Sequence, residues 1–517
     1  MNFEFEILNF ELFMIPRVRA PELPQNYPWL NVDKPLPLQE LRGRVVILDF
    51  WTYCCINCLH ILPTLKYLEQ KYKDSLTVIG VHSAKFDNEK ETDNIRQAIL
   101  RYNIEHPVLV DSGFRVWQEY AVRAWPTLMI IDPQGYVISS VSGEGNRDVL
   151  DELIQKLVSQ HQEKGTINFQ KLNLTLEKQR KPLIRPLAFP GKVLATQAGL
   201  FIADSGYHRI VMSTFDGEII YLIGTGQSGL TDGSFCEAQF FAPQGMVFDQ
   251  ENQILYVADT ENHALRRVDL KHQVVETIAG TGEQSRNIRP HSGSGRKTAL
   301  NSPWDLQLCE NSLYIAMAGS HQIWEMDLET SMVQTYAGTG AEACVDGVLS
   351  ESTFAQPSGI TTDGRELYIA DSEVSSIRGV GLVEPQQVRT VCGSGDLFGF
   401  GDVDGQGFDV RLQHCLGVEY AKNKLWVADT YNHKIKLVNP HTGDCHTVLG
   451  NGSAGLQDGE GKNTRFSEPS GLSVMGSDLF IADTNNHAIR RVDLDTLTVT
   501  TLKFPNLCAP DVCIPHE

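Results

Sequence analysis

The stretch Val45-Val46-Ile47-Leu48-Asp49-Phe50-Trp51-Thr52-Tyr53-Cys54-Cys55-Ile56-Asn57-Cys58 decides how the first part of this chain is read. A short apolar, β-branched run bounded by Gly43 reads as a buried strand. It stops at three cysteines, after which residues 60–72 carry apolar side chains at helical spacing: Ile61, Leu62, Leu65 and Leu68. Cysteines at a strand-to-helix junction stand where unpaired backbone N–H groups and the helix dipole favour an anion, which eases thiol ionisation. Cys55 and Cys58 are one helical turn apart, so their sulfurs can meet. The arrangement is of a redox type.

Outward from this stretch, residues 41–160 alternate strands and helices. Residues 45–50, 76–81, 107–111, 125–132 and 136–141 read as strands, and 60–72, 93–102 and 149–158 as helices. Such alternation gives a layered α/β domain. Residues 1–40 form an arm rich in proline (Pro16, Pro21, Pro24, Pro28, Pro35, Pro37), expected to wrap extended over that domain without a core of its own. Residues 161–186 are polar and read as a linker, with 172–176 as a candidate strand inside it.

The chain has 517 residues, 42% hydrophobic and 21% charged, which implies two to four globular domains. A net charge of -20 argues against nucleic acid or an anionic membrane surface as the main partner. Acid residues stand where a signal peptide would carry base, and no apolar run reaches the length of a membrane span, so a cytoplasmic protein is expected. The 11 cysteines are odd in number and mostly scattered, unlike a disulfide framework. The tail cysteines Cys508 and Cys513 are spaced to permit a second pair.

Asp49-Phe50-Trp51, Cys55-Ile56-Asn57-Cys58, Pro63 and Trp125-Pro126-Thr127 resemble a thioredoxin-fold domain of the TlpA/peroxiredoxin-like branch, over about residues 41–160. The resemblance implies that Cys55 is the nucleophile and Cys58 the resolving thiol. It also implies that Asp49 is a buried carboxylate accepting the Cys58 proton, that Pro63 kinks the helix, and that Pro126 is a cis-proline facing the disulfide. Trp51 would shape the approach of a substrate. Two departures stand out: Ile56-Asn57 replaces the usual Gly-Pro, and Cys54 replaces the usual aromatic before the nucleophile.

From residue 187 to about 505 a repeat takes over. Phe201-Ile202-Ala203-Asp204 recurs as variants ending at Asp259, Met317, Asp371, Asp429 and Asp483, at spacings of 55, 58, 54, 58 and 54 residues. Each unit lies among short apolar and charged strands, usually followed by Gly-Thr-Gly or a relative such as Ala279-Gly280-Thr281-Gly282. Four strands per period and six periods mean a six-bladed all-β propeller, with 506–517 left as a tail. Asp-Thr-x-Asn-His at Asp259–His263, Asp429–His433 and Asp483–His487 resembles NHL repeats. The order of domains resembles the NHL-repeat-containing protein 2 family in a shorter, bacterial-type form. Longer members carry a further β-rich domain after the propeller, and no role of that domain is expected here.

The repeated aspartates and histidines read as structural, each carboxylate satisfying backbone N–H groups of its own hairpin turn. Met317 and Ser375 break the pattern in the third and fourth units, which reads as missing anchors. Asp-Gly at 232, 346, 404 and 458 reads as turns, and Gln413 at the twelfth position rules out a calcium loop at Asp402. The basic loop with Arg286, Arg289, His291, Arg296 and Lys297 reads as a solvated loop or a contact for an acidic partner.

Three readings of the thiol site remain open from the residues. One is a thiol–disulfide oxidoreductase or redox sensor acting on a protein that the propeller recruits, and the second a scaffold with a vestigial dithiol. The third is a copper or zinc protein, reading Cys54 to Cys58 as C-x-x-x-C, for which only His60, His82 and His106 offer themselves as a further ligand. No cofactor and no metal are expected.

Overall fold

The computed structural model describes residues 18–169 and 172–510. Cys513, of the tail pair, and Met1–Arg17 of the arm lie outside the described residues. Two compact units are present among the described residues: one comprises 18–85, 89–169 and 172–181, the other 86–88 and 182–510. No helix of the described residues is long and apolar enough to cross a membrane.

The first unit runs β1 Trp29–Leu30, β2 Val45–Trp51, α1 Ile56–Lys71, β3 Leu76–His82, α2 Thr92–Arg101, β4 Val108–Val110, α3 Arg115–Glu119, β5 Thr127–Ile131, β6 Val137–Ser142 and α4 Arg147–Glu163. The strands form one sheet in the order β1-β4-β3-β2-β5-β6. β2, β3 and β4 are parallel to one another, while β5, β6 and β1 are added antiparallel. All seven residues of β2 are buried because helices or chain cover both faces of the sheet centre. Val45, Ile47 and Leu128 pack under Ile61, Leu65 and Leu68 of α1 and Leu150 and Ile154 of α4. Val46, Leu48 and Phe50 face Val116 and Tyr120, together with Ala20, Leu23, Leu38 and Leu41. Leu172 packs against this second cluster, but residues 172–176 form no strand. Their anchors are side-chain bonds, such as Thr175 Oγ1 donating to Asp33 Oδ2 at 2.5 Å.

The second unit is an all-β six-bladed propeller. Its innermost strands, Val193–Thr196, Pro243–Asp249, Pro303–Cys309, Pro357–Thr362, Gly417–Ala421 and Pro469–Met475, adjoin one another in a closed ring. Lys192, buried at the axis, donates to Asp305 Oδ2 (3.1 Å) and to the carbonyls of Ser358 (3.0 Å) and Leu416 (2.6 Å), tying the first blade to three others. Gly280 of Gly-Thr-Gly has φ +91°, and a Cβ there would lie 2.3 Å from the His263 carbonyl, so this turn requires glycine.

The repeat aspartates are structural, but the N–H each accepts belongs to the entry of its blade and not to its own hairpin. Asp204, Asp259, Asp371, Asp429 and Asp483 each take a backbone N–H at 2.7 Å, from Ala188, Phe241, Ala355, Gln413 and Ser467 respectively. Their other oxygen meets a buried cation: Arg209, Arg266, Arg378, Lys436 or Arg490. In four blades that cation also meets the Asp of an Asp-Gly pair (Asp232, Asp346, Asp404, Asp458), so these pairs are anchors as well as turns. Asp402 and Asp404 are thereby both engaged by Lys436. Burial pushes the five repeat aspartates up to about 6, the paired cation opposing it.

The repeat histidines link each blade to the next. Nδ1 of His208, His263, His321, His433 and His487 accepts the backbone N–H of Ala242, Ser302, Gln356, Glu468 and Phe189, at 3.0–3.2 Å. The last of these bonds closes the ring. Neither exception leaves a gap: Ser375 Oγ accepts from His414 N at 3.0 Å, and Met317 Sδ from Asn301 N at 3.4 Å. Blade three has no repeat ion pair, because Trp324, 2% exposed, stands seven residues after Met317. In the basic loop, Ser292–Ser294 is an edge strand of the third blade, while Arg286, Arg289, Arg296 and Lys297 are exposed.

Removing one partner of a fully buried ion pair strands the other charge. Arg378→Met is therefore expected to destabilise the propeller by about 3–5 kcal/mol, read as a lowered denaturation midpoint by circular dichroism. An unchanged midpoint would show that the Asp371 and Asp346 carboxylates do not depend on it.

Candidate functional site

The helix α1 begins four residues before the apolar periodicity suggests, and this places the thiols. Cys55 is the N-cap, with φ -81° and ψ 115°, and Cys58 lies inside the first turn. The carbonyl of Cys55 accepts from Cys58 N (3.0 Å) and Leu59 N (3.2 Å), while its own side chain caps no N–H. Cys55 is partly exposed and Cys58 wholly buried, and both are free thiols. Pro63 sits inside the helix, withholding one i→i−4 bond.

Burial, together with a hydrogen bond to the Cys55 side chain, holds the Cys58 thiol well above the ordinary thiol range. Asp49, on the same strand end, adds to that effect. Its own carboxylate is 0% exposed, and neither oxygen has a hydrogen-bond partner among the described residues. Burial pushes Asp49 up to about 7, with the charge of His106 pulling it down and that of Glu69 pushing it up.

The Trp125–Pro126 peptide is cis. Thr127, which follows, pairs with Phe50, so Pro126 lies beside the end of β2 from which the cysteines leave. Phe114, Trp117 and Trp125, all half-buried, form an aromatic cluster next to Pro126, with the Trp117 and Trp125 rings 4.6 Å apart. Trp51 does not shape an approach from solvent. It is fully buried, edge-on to His82 at 4.9 Å, and supports the site from inside the sheet.

Cys54 is likewise turned inward at 2% exposure, with Thr52 Oγ1 3.7 Å from its sulfur. Glu89 holds this loop, a role that the sequence reading missed. One carboxylate oxygen accepts Cys54 N at 2.8 Å; the other accepts Thr52 Oγ1 at 2.7 Å and Lys85 N at 3.1 Å. In sequence Glu89 stands in a run of acids and amides that reads as a solvated turn, so only its 0% exposure reveals it.

The three histidines considered as metal ligands are engaged elsewhere. His60 Nδ1 meets Glu144 Oε2 at 2.6 Å, and His106 Nδ1 meets Glu69 Oε2 at 3.4 Å. His82 lies between Trp51 and Tyr53, where burial lowers it to about 3. Among the described residues, no group of three or more His, Cys, Asp or Glu side chains is placed to hold a metal ion.

A thioredoxin-like family model matches residues 43–137. The chain is 42% identical over 520 residues to NHL repeat-containing protein 2 of Homo sapiens, covering 93% of this chain and 71% of that protein. It is 45% identical over 497 residues to Protein SUPPRESSOR OF QUENCHING 1, chloroplastic, of Arabidopsis thaliana, covering 92% of this chain but only 47% of the plant protein. Over 124 residues, 24% of this chain and 69% of the relative, it is 29% identical to thiol-disulfide oxidoreductase ResA of Bacillus cereus.

A carboxyl raised to about 7 when folded, against about 3.9 unfolded, stabilises the fold fully below pH 4 and loses that contribution as pH rises through 7. Asp49→Asn is therefore expected to be more stable than the parent at pH 8, by on the order of 4 kcal/mol, with the two converging near pH 4. Denaturant unfolding at both pH values checks this, and equal stability at pH 8 would mean that Asp49 ionises freely.

Proposed function

Because the chain belongs to the NHL repeat-containing protein 2 family, we propose that its thioredoxin-like unit performs thiol–disulfide exchange on a protein partner recruited by its propeller. The observation that carries this reading is the pair formed by half-exposed Cys55 and fully buried Cys58, set beside an unpartnered carboxylate. The Cys55 thiolate attacks a disulfide of the partner, forming a mixed disulfide and releasing one partner sulfur as a thiolate. Asp49 takes the Cys58 proton, and the Cys58 thiolate then attacks Cys55 Sγ. The bond from Cys55 to the partner breaks, the dithiol ends as a disulfide, and the partner has gained two electrons and two protons. The backbone at Trp125–Pro126 holds the partner as an added strand, and the neighbouring aromatic cluster suits an apolar side chain beside its disulfide.

No basic side chain lies between the cysteines, so a mildly reducing role fits better than a strong oxidant. Nine of the ten described cysteines are free thiols, while Cys508 is disulfide-bonded; the free majority suits a reducing compartment such as the cytoplasm. A second reading, a scaffold whose dithiol is silent, draws on the depth of Cys58 at 0% exposure.

Thiol trapping with peptide mass mapping in graded glutathione buffers separates the two. The Cys55–Cys58 pair is expected to form reversibly at roughly -220 to -320 mV, reduction of a model disulfide to be lost in Cys55→Ser, and a mixed disulfide to accumulate in Cys58→Ser. Thiols that stay free across the whole range would sink the exchange mechanism and leave the scaffold.

A further inference from the structure

Four buried polar atoms around Gly80 have no hydrogen-bond partner among the described residues: both carboxylate oxygens of Asp49, Nε1 of Trp51 and Nε2 of His106. Asp49 and Gly80 are directly opposite in the parallel pairing of β2 and β3, so the two residues address the same face of the sheet. A Cβ on Gly80 would lie 2.9 Å from Trp51 Nε1 and 3.4 Å from His106 Nε2. The missing side chain therefore leaves a space bounded by the Trp51 indole, the His106 imidazole and Val108, with Asp49 opposite on the neighbouring strand.

His106 is held in place from two sides. Its backbone carbonyl and that of Ile104 each accept from Asn31 Nδ2 at 2.9 Å, and Gly80 N donates to the adjacent Pro107 carbonyl at 2.9 Å. Its second ring nitrogen, Nδ1, faces Glu69 Oε2 of α1 at 3.4 Å. The His106 side chain is 3% exposed and that of Glu69 is 28% exposed, so the line from Asp49 through His106 to Glu69 leads from the buried thiol to water.

The exchange cycle leaves a proton on Asp49 that has no direct exit, since the carboxylate is wholly buried. We infer that His106 and Glu69 are positioning residues that act through Asp49, carrying that proton between the carboxylate and solvent. The inference rests on the thiol–disulfide reading above. Asp49, protonated by Cys58, passes the proton to His106 Nε2 through a water bridging these unpartnered atoms beside Gly80, and the Nδ1 proton leaves to Glu69 and on to solvent. The ring regains its first tautomer when a thiol reductant restores the dithiol: Asp49 takes the Nε2 proton back and returns it to the Cys58 thiolate, Nδ1 is reprotonated through Glu69, and no electrons move in either proton transfer.

The charges around the line agree with it. Burial alone would lower His106, but Glu69, Asp49 and Glu105 together hold it above the ordinary histidine value. Facing Asp49 are His106, Glu69 and the Cys58 thiol, which in turn faces Cys55. A histidine that both faces a carboxylate of similar affinity and reaches the surface is suited to accept and release one proton per turnover.

The test uses the full chain with His106→Gln and, as a second variant on the exposed side of the line, Glu69→Gln. Release of a model peptide from its mixed disulfide with Cys55 is followed by quenched single turnover between pH 5 and 9, in the same ranges for parent and variants. At pH 7 release is expected to slow at least about ten-fold in both variants, with the rate recovering as hydroxide takes over at high pH. Alkylation of Cys55 by iodoacetamide in a Cys58→Ser background is expected to stay at the parent rate, which a damaged site would not allow. Carboxyl-carbon NMR supplies a readout free of turnover: the Asp49 midpoint is expected to rise in His106→Gln. Release rates and pH profiles equal to the parent in both variants, or an Asp49 midpoint that does not move, overturn the relay. A parent chain that forms no mixed disulfide fails the exchange reading itself, overturns the relay with it, and is recognised before any variant is compared.

Discussion

A buried carboxylate must find donors or give up its charge, and the propeller is organised around that constraint. In five blades a fully buried aspartate gives one oxygen to a backbone N–H at the blade's entry and the other to a buried arginine or lysine. In three of them the guanidinium also lies over a phenylalanine ring, at 5.0–5.2 Å. One side-chain set thus fixes the incoming segment, two strands and the outer edge of the blade. Blade three reaches the same end with Met317 and Trp324, which shows that the position needs to be filled and anchored but need not be charged.

The histidine that follows makes the blades interdependent. Each ring occupies a left-handed backbone position, with φ between 48° and 55°, and takes an N–H from the next blade. Such an acceptor has to be neutral, in keeping with the lowering that burial imposes on His208 and His433. Ring closure by His487 and the axial Lys192 completes a rigid platform, which suits a surface that presents loops to a partner.

Asp49 is the counterexample that makes the first unit interesting. It is as buried as Asp259, yet among the described residues no arginine and no backbone N–H meets it, and its carboxyl is held higher, at about 7 against about 6. A protein that satisfies five buried aspartates in one unit and leaves both oxygens of Asp49 without a partner among the described residues of the other gives up stability at that point, as functional sites do. In the proposed exchange the thiol beside it supplies a use: a carboxyl poised near neutrality exchanges a proton in either direction.

The blade period, the apolar strands and the cysteine pair at a helix start were legible because each is a local pattern, written in consecutive residues. Sequence by itself therefore determined the two fold types, the six-fold repeat and the placing of Cys55 and Cys58 one helical turn apart. It did not show that α1 begins at Ile56, since the cysteines and Asn57 carry no apolar periodicity. Nor did it reveal the partners of the repeat aspartates, the loop clamp Glu89 or the line from Asp49 to His106 and Glu69. The cation of each repeat aspartate stands five to seven residues on, across a turn on the neighbouring strand, while the Glu89 and Asp49 partners are tens of residues away; in both cases the chemistry comes from burial and mutual distance. Only the tertiary structure decides these, because the affinity of a carboxylate or imidazole for a proton depends on what surrounds it and not on what precedes it.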